Sequence, residues 1–293
     1  FFFTMLAAMM RACLRRRVTR PHGGLRVAGR ALSTDQRSSS STEEDGGAAA
    51  ATLLASAVCR TRAKHRPAPT LFYFPGLTSR AVWSRDSALK ALPWLETLEA
   101  SDNIALMRRE YDRLLELGVA SDYSVKDTTR ESGEHKMHSG DWSWHSLVTR
   151  GRRNPKAKDV CPGTAALIDE VVGPDLMTGT PFSFSFFSTL HSHSSIAPHS
   201  APCNLRLRLH VPLTVPSEDA NECGFRVADH VAPWKEGETL VFDDSYEHEV
   251  WNRTPVPRVL LLLDVWHPDL TLAEKIAITS MFQEAEEKGW LAK

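Results

Sequence analysis

The stretch Pro198-His199-Ser200-Ala201-Pro202-Cys203-Asn204-Leu205-Arg206-Leu207-Arg208-Leu209-His210-Val211-Pro212-Leu213 decides the fold. From Leu205 to His210, leucine alternates with Arg206, Arg208 and His210, a period of two that an extended strand turns into two opposite faces. Two readings follow. If the leucines fill a core between sheets, the polar face meets solvent; if the strand lines the mouth of a barrel, Arg208 and His210 point into a polar pocket. The alternation alone favours the solvated face, the common case; the phrase around it reverses that preference.

The same period recurs on either side. Phe182, Phe184 and Phe186 alternate with Ser183, Ser185 and Phe187, and further strands are expected over 224–228, 239–242, 248–252 and 258–266, parted by Pro, Gly, Asn and Asp turns. Many short antiparallel strands in succession predict a mainly β fold, a jelly roll or cupin-like double-stranded β-helix with flanking α-helices. Between Ser101 and Gly118, residues Ile104, Met107, Tyr111, Leu114 and Leu115 share a helical face, with a Ser or Asp cap before and Gly118 after. A last amphipathic helix over 272–288 is expected to cap the barrel. Folded sequence opens near Thr70 with a strand-like run, Leu71-Phe72-Tyr73-Phe74, ended by the Pro75-Gly76 turn.

The chain has 293 residues, 42% of them hydrophobic, enough for one substantial domain and an appendage. A formal net charge of -1 argues against a general nucleic-acid binder, whose affinity rests on surplus Lys and Arg. Cys13, Cys59, Cys161, Cys203 and Cys223 are widely spaced and odd in number, which favours free thiols over a disulfide framework or a thiolate zinc site. No apolar run reaches the length of a transmembrane segment. From Met5 to Ser33 the sequence carries seven arginines and no acidic residue, so residues 1–34 read as an organelle transit peptide with the mitochondrion as destination ahead of plastid or cytoplasm, a disordered basic tail being the alternative. Residues 35–66, with their Ser, acidic and Ala runs, read as a low-complexity linker. Residues 67–293 read as one catalytic domain: a helical part over 67–180, the β-helix over 181–270 and the C-terminal helix over 271–293. Nothing in the sequence sets the oligomeric state.

The residues that carry chemistry are His199 and His248. Two imidazoles on neighbouring strands of a small barrel can hold a divalent iron while leaving positions for a co-substrate and dioxygen. His135, His138, His191 and His193 lie in polar stretches and read as loop histidines, and Trp142, Trp144, Trp251 and Trp266 as core or rim aromatics.

The opening stretch resembles the signature of the aspartyl/asparaginyl β-hydroxylase family. The resemblance continues through Trp234-Lys235-Glu236-Gly237-Glu238, through Phe242-Asp243-Asp244-Ser245-Tyr246-Glu247-His248-Glu249-Val250-Trp251-Asn252, and through Asp264-Val265-Trp266-His267-Pro268. Upstream, Phe74-Pro75-Gly76-Leu77, Gly140-Asp141-Trp142-Ser143 and Gly151-Arg152-Arg153-Asn154 are similar as well. The resemblance implies an iron(II)- and 2-oxoglutarate-dependent dioxygenase on a double-stranded β-helix, using O2 and releasing succinate and carbon dioxide. It implies that His199 and His248 ligate the metal. Arg258 and Ser188 would hold the distal carboxylate of 2-oxoglutarate, and Arg208 and His210 the carboxylate next to the keto group. The usual third ligand, a carboxylate, is replaced by Ala201, in keeping with that family, and water could fill the position. Asp243 and Asp244 take a structural role by the same analogy, as does the Asp264 phrase. Val148-Thr149-Arg150 departs from the Trp-Gln-Gln that members carry against substrate.

The implied product is a β-hydroxylated Asp or Asn in a protein or peptide. A small-molecule or lipid-chain target is the alternative within the same chemistry, and a non-catalytic jelly-roll binding module or a cupin-type isomerase or hydrolase are alternatives outside it.

Overall fold

The computed structural model describes residues 67–123 and 138–289; the expected transit segment, the linker and His135 lie outside the described residues. The chain falls into two compact units whose boundary in sequence lies between Leu270 and Thr271.

The first unit carries two sheets. In one, β5 (Ser194–His199), β10 (His248–Asn252), β7 (Cys223–Val227) and β8 (His230–Pro233) lie side by side, with the short β1 (His138–Ser139) beyond β5. In the other the order is β3 (Arg152–Arg153), β2 (Trp142–Thr149), β4 (Phe184–Leu190), β11 (Arg258–Trp266), β6 (Arg206–Thr214) and β9 (Leu240–Phe242). All strand pairs are antiparallel. From β4 to β11 the strands pass alternately between the sheets except at the β7–β8 hairpin, which stays in one sheet, giving the orders β4-β11-β6-β9 and β5-β10-β7-β8. That interleaving of two Greek keys is the double-stranded β-helix.

Burial decides between the two readings of the Leu205–His210 alternation. Leu207, Leu209, Val211 and Leu213 of β6, with Leu261, Leu263 and Val265 of β11, pack outward against Leu92, against Leu95 and Leu98 of α2 (Leu95–Leu98), and against Ile104 and Met107 of α3 (Ser101–Glu116). Each such side chain, fully buried, contributes on the order of 1.5–3 kcal/mol. The opposite row, Arg206, Arg208 and His210, therefore turns into the barrel, where the inner cluster of Leu190, Phe225, Trp234, Phe242 and Leu260 lies between the sheets. Helices preceding the barrel in sequence supply that outer cover: α1 (Arg85–Ala91), α2, α3, α4 (Pro155–Val160) and α5 (Pro162–Leu167).

Four expectations need adjustment. Segment 67–180 holds strands as well as helices, because β2 has both faces covered and so shows no clean alternation; a bulge between Ser146 and Val148 breaks the period further. The run Leu71–Phe74 forms only a single bridge, Phe72 to Cys203, since the Asn204 side chain takes both the amide and the carbonyl of Phe74 at 2.7 and 2.8 Å. Helix α3 starts at an Ala100 N-cap with no side-chain cap, and Leu115 is 49% exposed. Its end is as read: Gly118 takes a left-handed φ of 64°, its amide bonds Leu115 O, and the Val119 amide bonds Leu114 O, a Schellman stop. Finally, strand β4 begins at Phe184, and both its faces are buried, with Phe186 and Phe187 each covered.

The second unit carries α6 (Leu272–Glu287), begun by a capping box between Thr271 and Glu274. No described helix is long and apolar enough to cross a membrane.

Candidate active site

His199 ends β5 and His248 begins β10, and the two are Cα partners with ring centroids 4.1 Å apart. Their juxtaposition is built by local sequence. Between the pairs His248–His199 and Val250–Ile196, β5 spends one residue more than β10, a bulge that takes in Ala197 and Pro198. Proline, with no amide to give a ladder, is at home in such a bulge, and the bulge re-aims the residue after it. On the other strand, Asp243 Oδ1 accepts the Ser245 amide at 2.9 Å, an Asx turn that ends β9 and sends the chain into β10.

The two imidazoles are oriented alike. His199 Nδ1 lies 2.8 Å from the Ala197 carbonyl and His248 Nδ1 2.9 Å from the Tyr246 carbonyl. A carbonyl only accepts, so in each neutral ring the proton sits on Nδ1 and Nε2 carries the lone pair. Burial, reinforced by His199, holds His248 well below the usual imidazole range and hence neutral. Two imidazoles whose Nδ1–H groups are held from behind by backbone carbonyls are a metal-ligand arrangement. Among the described residues, no group of three or more His, Cys, Asp or Glu side chains is placed to share a cation. Ala201 is buried and clamped, its amide on Asp244 O at 2.7 Å and its carbonyl on the Thr70 amide at 3.0 Å.

Asp244 and Asp264 are committed elsewhere. Arg208 donates from Nε to Asp264 Oδ1 at 2.9 Å and from Nη2 to Asp264 Oδ2 at 3.1 Å, and its Nη1 lies 3.1 Å from Asp244 Oδ2. Arg206 reaches Asp244 Oδ2 at 2.6 Å and Asp264 Oδ2 at 2.8 Å. Two guanidinium groups and two carboxylates thus form a closed, neutral box. Burial alone would raise the Asp244 carboxyl, but Arg206 and Arg208 outweigh it and hold the group below its ordinary value. Of the five N–H groups on Arg208, these contacts leave two.

Arg258 is different in kind. It is 2% exposed, yet its Nε has no hydrogen-bond partner, and no carboxylate pairs with it among the described residues. Burial pushes its guanidinium down to about 10, the Cys223 thiol and Tyr111 phenol opposing only weakly. Those acids are themselves neutral at pH 7, since burial raises Tyr111 and pushes Cys223 up to about 11. The Trp234 ring lies under the guanidinium, 4.8 Å from centroid to Cζ. A buried cation with an aromatic floor and no counter-ion is a seat for an anion. Ser188 is one strand over, paired with Leu260, and its Oγ accepts from Trp142 Nε1 at 3.0 Å, which leaves the hydroxyl proton to donate. His210 Nδ1 accepts from Trp234 Nε1 at 3.2 Å.

The structure therefore brings His199, His248, His210, Arg208, Arg258 and Ser188 to the barrel interior, with Arg208 already paired to carboxylates. Trp234 was given no role by the sequence, although the Trp234-Lys235-Glu236-Gly237-Glu238 phrase marked its position. His191 Nε2 contacts Ser143 Oγ at 2.8 Å, His193 is exposed at a left-handed φ of 51°, and His138 meets the Tyr123 hydroxyl. Trp144 is stacked between Tyr123 and Phe186 at 4.7 and 4.4 Å, with Trp142 edge-on at 4.8 Å, so these rings wall one side of the barrel. Trp251 is tied to Ala220 O, and Trp266 is buried. Val148 is fully buried in the outer core, on the helix side of the sheet.

A family model described as Aspartyl/Asparaginyl beta-hydroxylase matches residues 101–268. The Aspartyl/asparaginyl beta-hydroxylase of Homo sapiens is 32% identical over 207 residues, 69% of this chain and 26% of that protein. The chain thus spans about a quarter of the length of that relative. The Ornithine lipid ester-linked acyl 2-hydroxylase of Rhizobium tropici is 31% identical over 180 residues, 60% of this chain and 58% of that one. Among solved structures, EctD from S. alaskensis with 2-oxoglutarate and 5-hydroxyectoine is 18% identical, with a TM-score of 0.41, covering 72% of this chain and 86% of that one.

Proposed function

This chain belongs to the aspartyl/asparaginyl β-hydroxylase family, and from that premise we propose that it is an iron(II)- and 2-oxoglutarate-dependent dioxygenase hydroxylating an unactivated carbon. The observation that carries this reading is Arg258, a buried cation with no carboxylate partner among the described residues, in the same barrel as a pair of imidazoles oriented by backbone carbonyls. His199 and His248 would hold the iron, which supplies dioxygen activation and the oxidative decarboxylation of 2-oxoglutarate to succinate and carbon dioxide. Arg258 would take the distal carboxylate, with the Ser188 hydroxyl donating to it. His210, and the N–H groups that Arg208 has left, would take the carboxylate beside the keto group. The aromatic walls exclude water from that space.

The substrate proposed first is the β-carbon of Asp or Asn in a protein or peptide. A lipid chain or other small molecule is the second reading, within the same chemistry. The mitochondrial destination is proposed on the basic, acid-free segment ahead of Asp35, and a full chain with a C-terminal fluorescent tag, with and without residues 1–34, tests it.

Succinate formation from 2-oxoglutarate with added iron(II), wild type against His248→Ala, tests the activity. Turnover in the wild type that disappears in the variant supports it. Equal background in both would leave a binding module or another metal-dependent reaction.

A further inference from the structure

Three of the described histidines, His199, His248 and His210, face the barrel interior, and their hydrogen-bond partners divide them two to one. His199 and His248 each give Nδ1–H to a backbone carbonyl two residues earlier, at 2.8 and 2.9 Å. His210 does the reverse. Its Nδ1 faces Trp234 Nε1 at 3.2 Å, and an indole nitrogen can only donate, so Nδ1 of His210 must be the acceptor. Burial, aided by Arg258, Arg208 and His248, keeps this ring neutral. A neutral ring accepting at Nδ1 carries its proton on Nε2.

We propose that Trp234 is a positioning residue that sorts these histidines: by holding His210 as the Nε2–H tautomer it bars that ring from ligating the metal and makes it a hydrogen-bond donor to the co-substrate carboxylate. The same indole lies under Arg258, so one fully buried side chain touches two of the four polar groups assigned to the co-substrate. Phe225 stacks on Trp234 at 5.6 Å and 24°, and Phe242 stands edge-on to His210 at 4.9 Å, so neither ring can turn to exchange its partner. The donor role rests on the 2-oxoglutarate reading above; the tautomer does not.

Nitrogen-15 NMR of the His210 ring in the metal-free protein reads the tautomer directly. The expected state is Nε2–H in the wild type, changing or mixing in Trp234→Phe, which keeps an aromatic floor but has no N–H. A wild-type Nδ1–H ring overturns the inference. Calorimetric titration of 2-oxoglutarate into protein loaded with manganese(II) reads the consequence. Trp234→Phe should weaken 2-oxoglutarate about three- to tenfold, the weight of one hydrogen bond, with manganese(II) affinity close to wild type and the variant still folded at the titration temperature. In a His210→Leu background the same substitution should cost nothing further, because it acts through His210. An equal loss in both backgrounds would reduce Trp234 to packing and overturn the inference. Failure of the wild type itself to bind 2-oxoglutarate would strike the proposed function and leave the tautomer result standing.

Discussion

Arg208 and Asp264 are cross-strand partners on β6 and β11, and their side chains repeat the pairing with two hydrogen bonds at 2.9 and 3.1 Å. The pair is one side of the four-residue box with Arg206 and Asp244, all of it inside the barrel. Removing one carboxylate leaves two buried guanidinium groups facing a single anion. Asp264→Asn is therefore expected to destabilise the fold by about 3–5 kcal/mol, the range for breaking a buried pair on one side. Urea denaturation checks it, and a midpoint within experimental error of wild type would show that the box carries no such strain. Asp264 also accepts the Phe184 amide at 3.0 Å, so part of the loss should appear as fraying where β4 begins.

Arg258 makes the opposite prediction. Its charge is buried with no counter-ion among the described residues, so in the ligand-free protein it works against the fold. Arg258→Met fills similar volume with no charge and should raise stability by on the order of 1–3 kcal/mol. The same change should abolish the stabilisation that 2-oxoglutarate gives the wild type, a loss of about 2–5 kcal/mol in binding. Thermal unfolding with and without 2-oxoglutarate measures both. A variant less stable than wild type when ligand-free would mean that Arg258 has a partner that pays for its burial.

How far the sequence foretells this site depends on which contacts are local. The alternation in Arg206–His210 and the apolar run of β11 (Arg258–Trp266) are legible because each residue's face is set by its neighbours in sequence. Which face points inward is not, because helices bury the leucines as completely as the second sheet buries the polar row. The extent of strand β5 (Ser194–His199) escapes periodicity, although His199 itself is expected on a strand: Ser-Ser-Ile-Ala-Pro-His has neither β-branched density nor a clean period, and its proline argues against a strand. Yet that proline occupies the bulge that sets His199 opposite His248. The Trp234–His210 and Arg258–Trp234 contacts span 24 residues each, and the motif marked the tryptophan without saying what it touches.

The histidine pair should bind divalent metal even though only two side chains offer nitrogen. His248→Ala is expected to lower manganese(II) affinity by on the order of 100-fold or more, since loss of a supporting shell contact alone costs 10–100-fold. Tyr246→Ala leaves the backbone carbonyl that orients His248 in place, so it should leave metal affinity near wild type despite losing the Tyr246–Ser79 hydroxyl contact at 2.7 Å. Paramagnetic resonance titration of free manganese(II) distinguishes the two. Similar affinities for wild type and His248→Ala would remove this histidine from the metal site.

Asp243 should give the fold a pH dependence of its own. Burial pushes its carboxyl up to about 7; the Ser245 contact opposes this, Asp244 adds to it and Arg206 again opposes. Below about pH 4 the folded and unfolded chains both carry the proton, and the group is neutral to stability. Between about 4 and 7 the unfolded chain sheds it while the folded chain keeps it, so stability falls as pH rises, by up to about 1.4 kcal/mol per pH unit, and levels off above 7. Asp243→Asn keeps the Oδ1 that accepts the Ser245 amide and has no charge to lose. The stability of the variant relative to wild type should therefore climb from pH 4 to 7 and run flat above. Chemical denaturation at four or five pH values measures that difference, and parallel curves through the whole range would show that Asp243 ionises as readily in the folded chain as in the unfolded one.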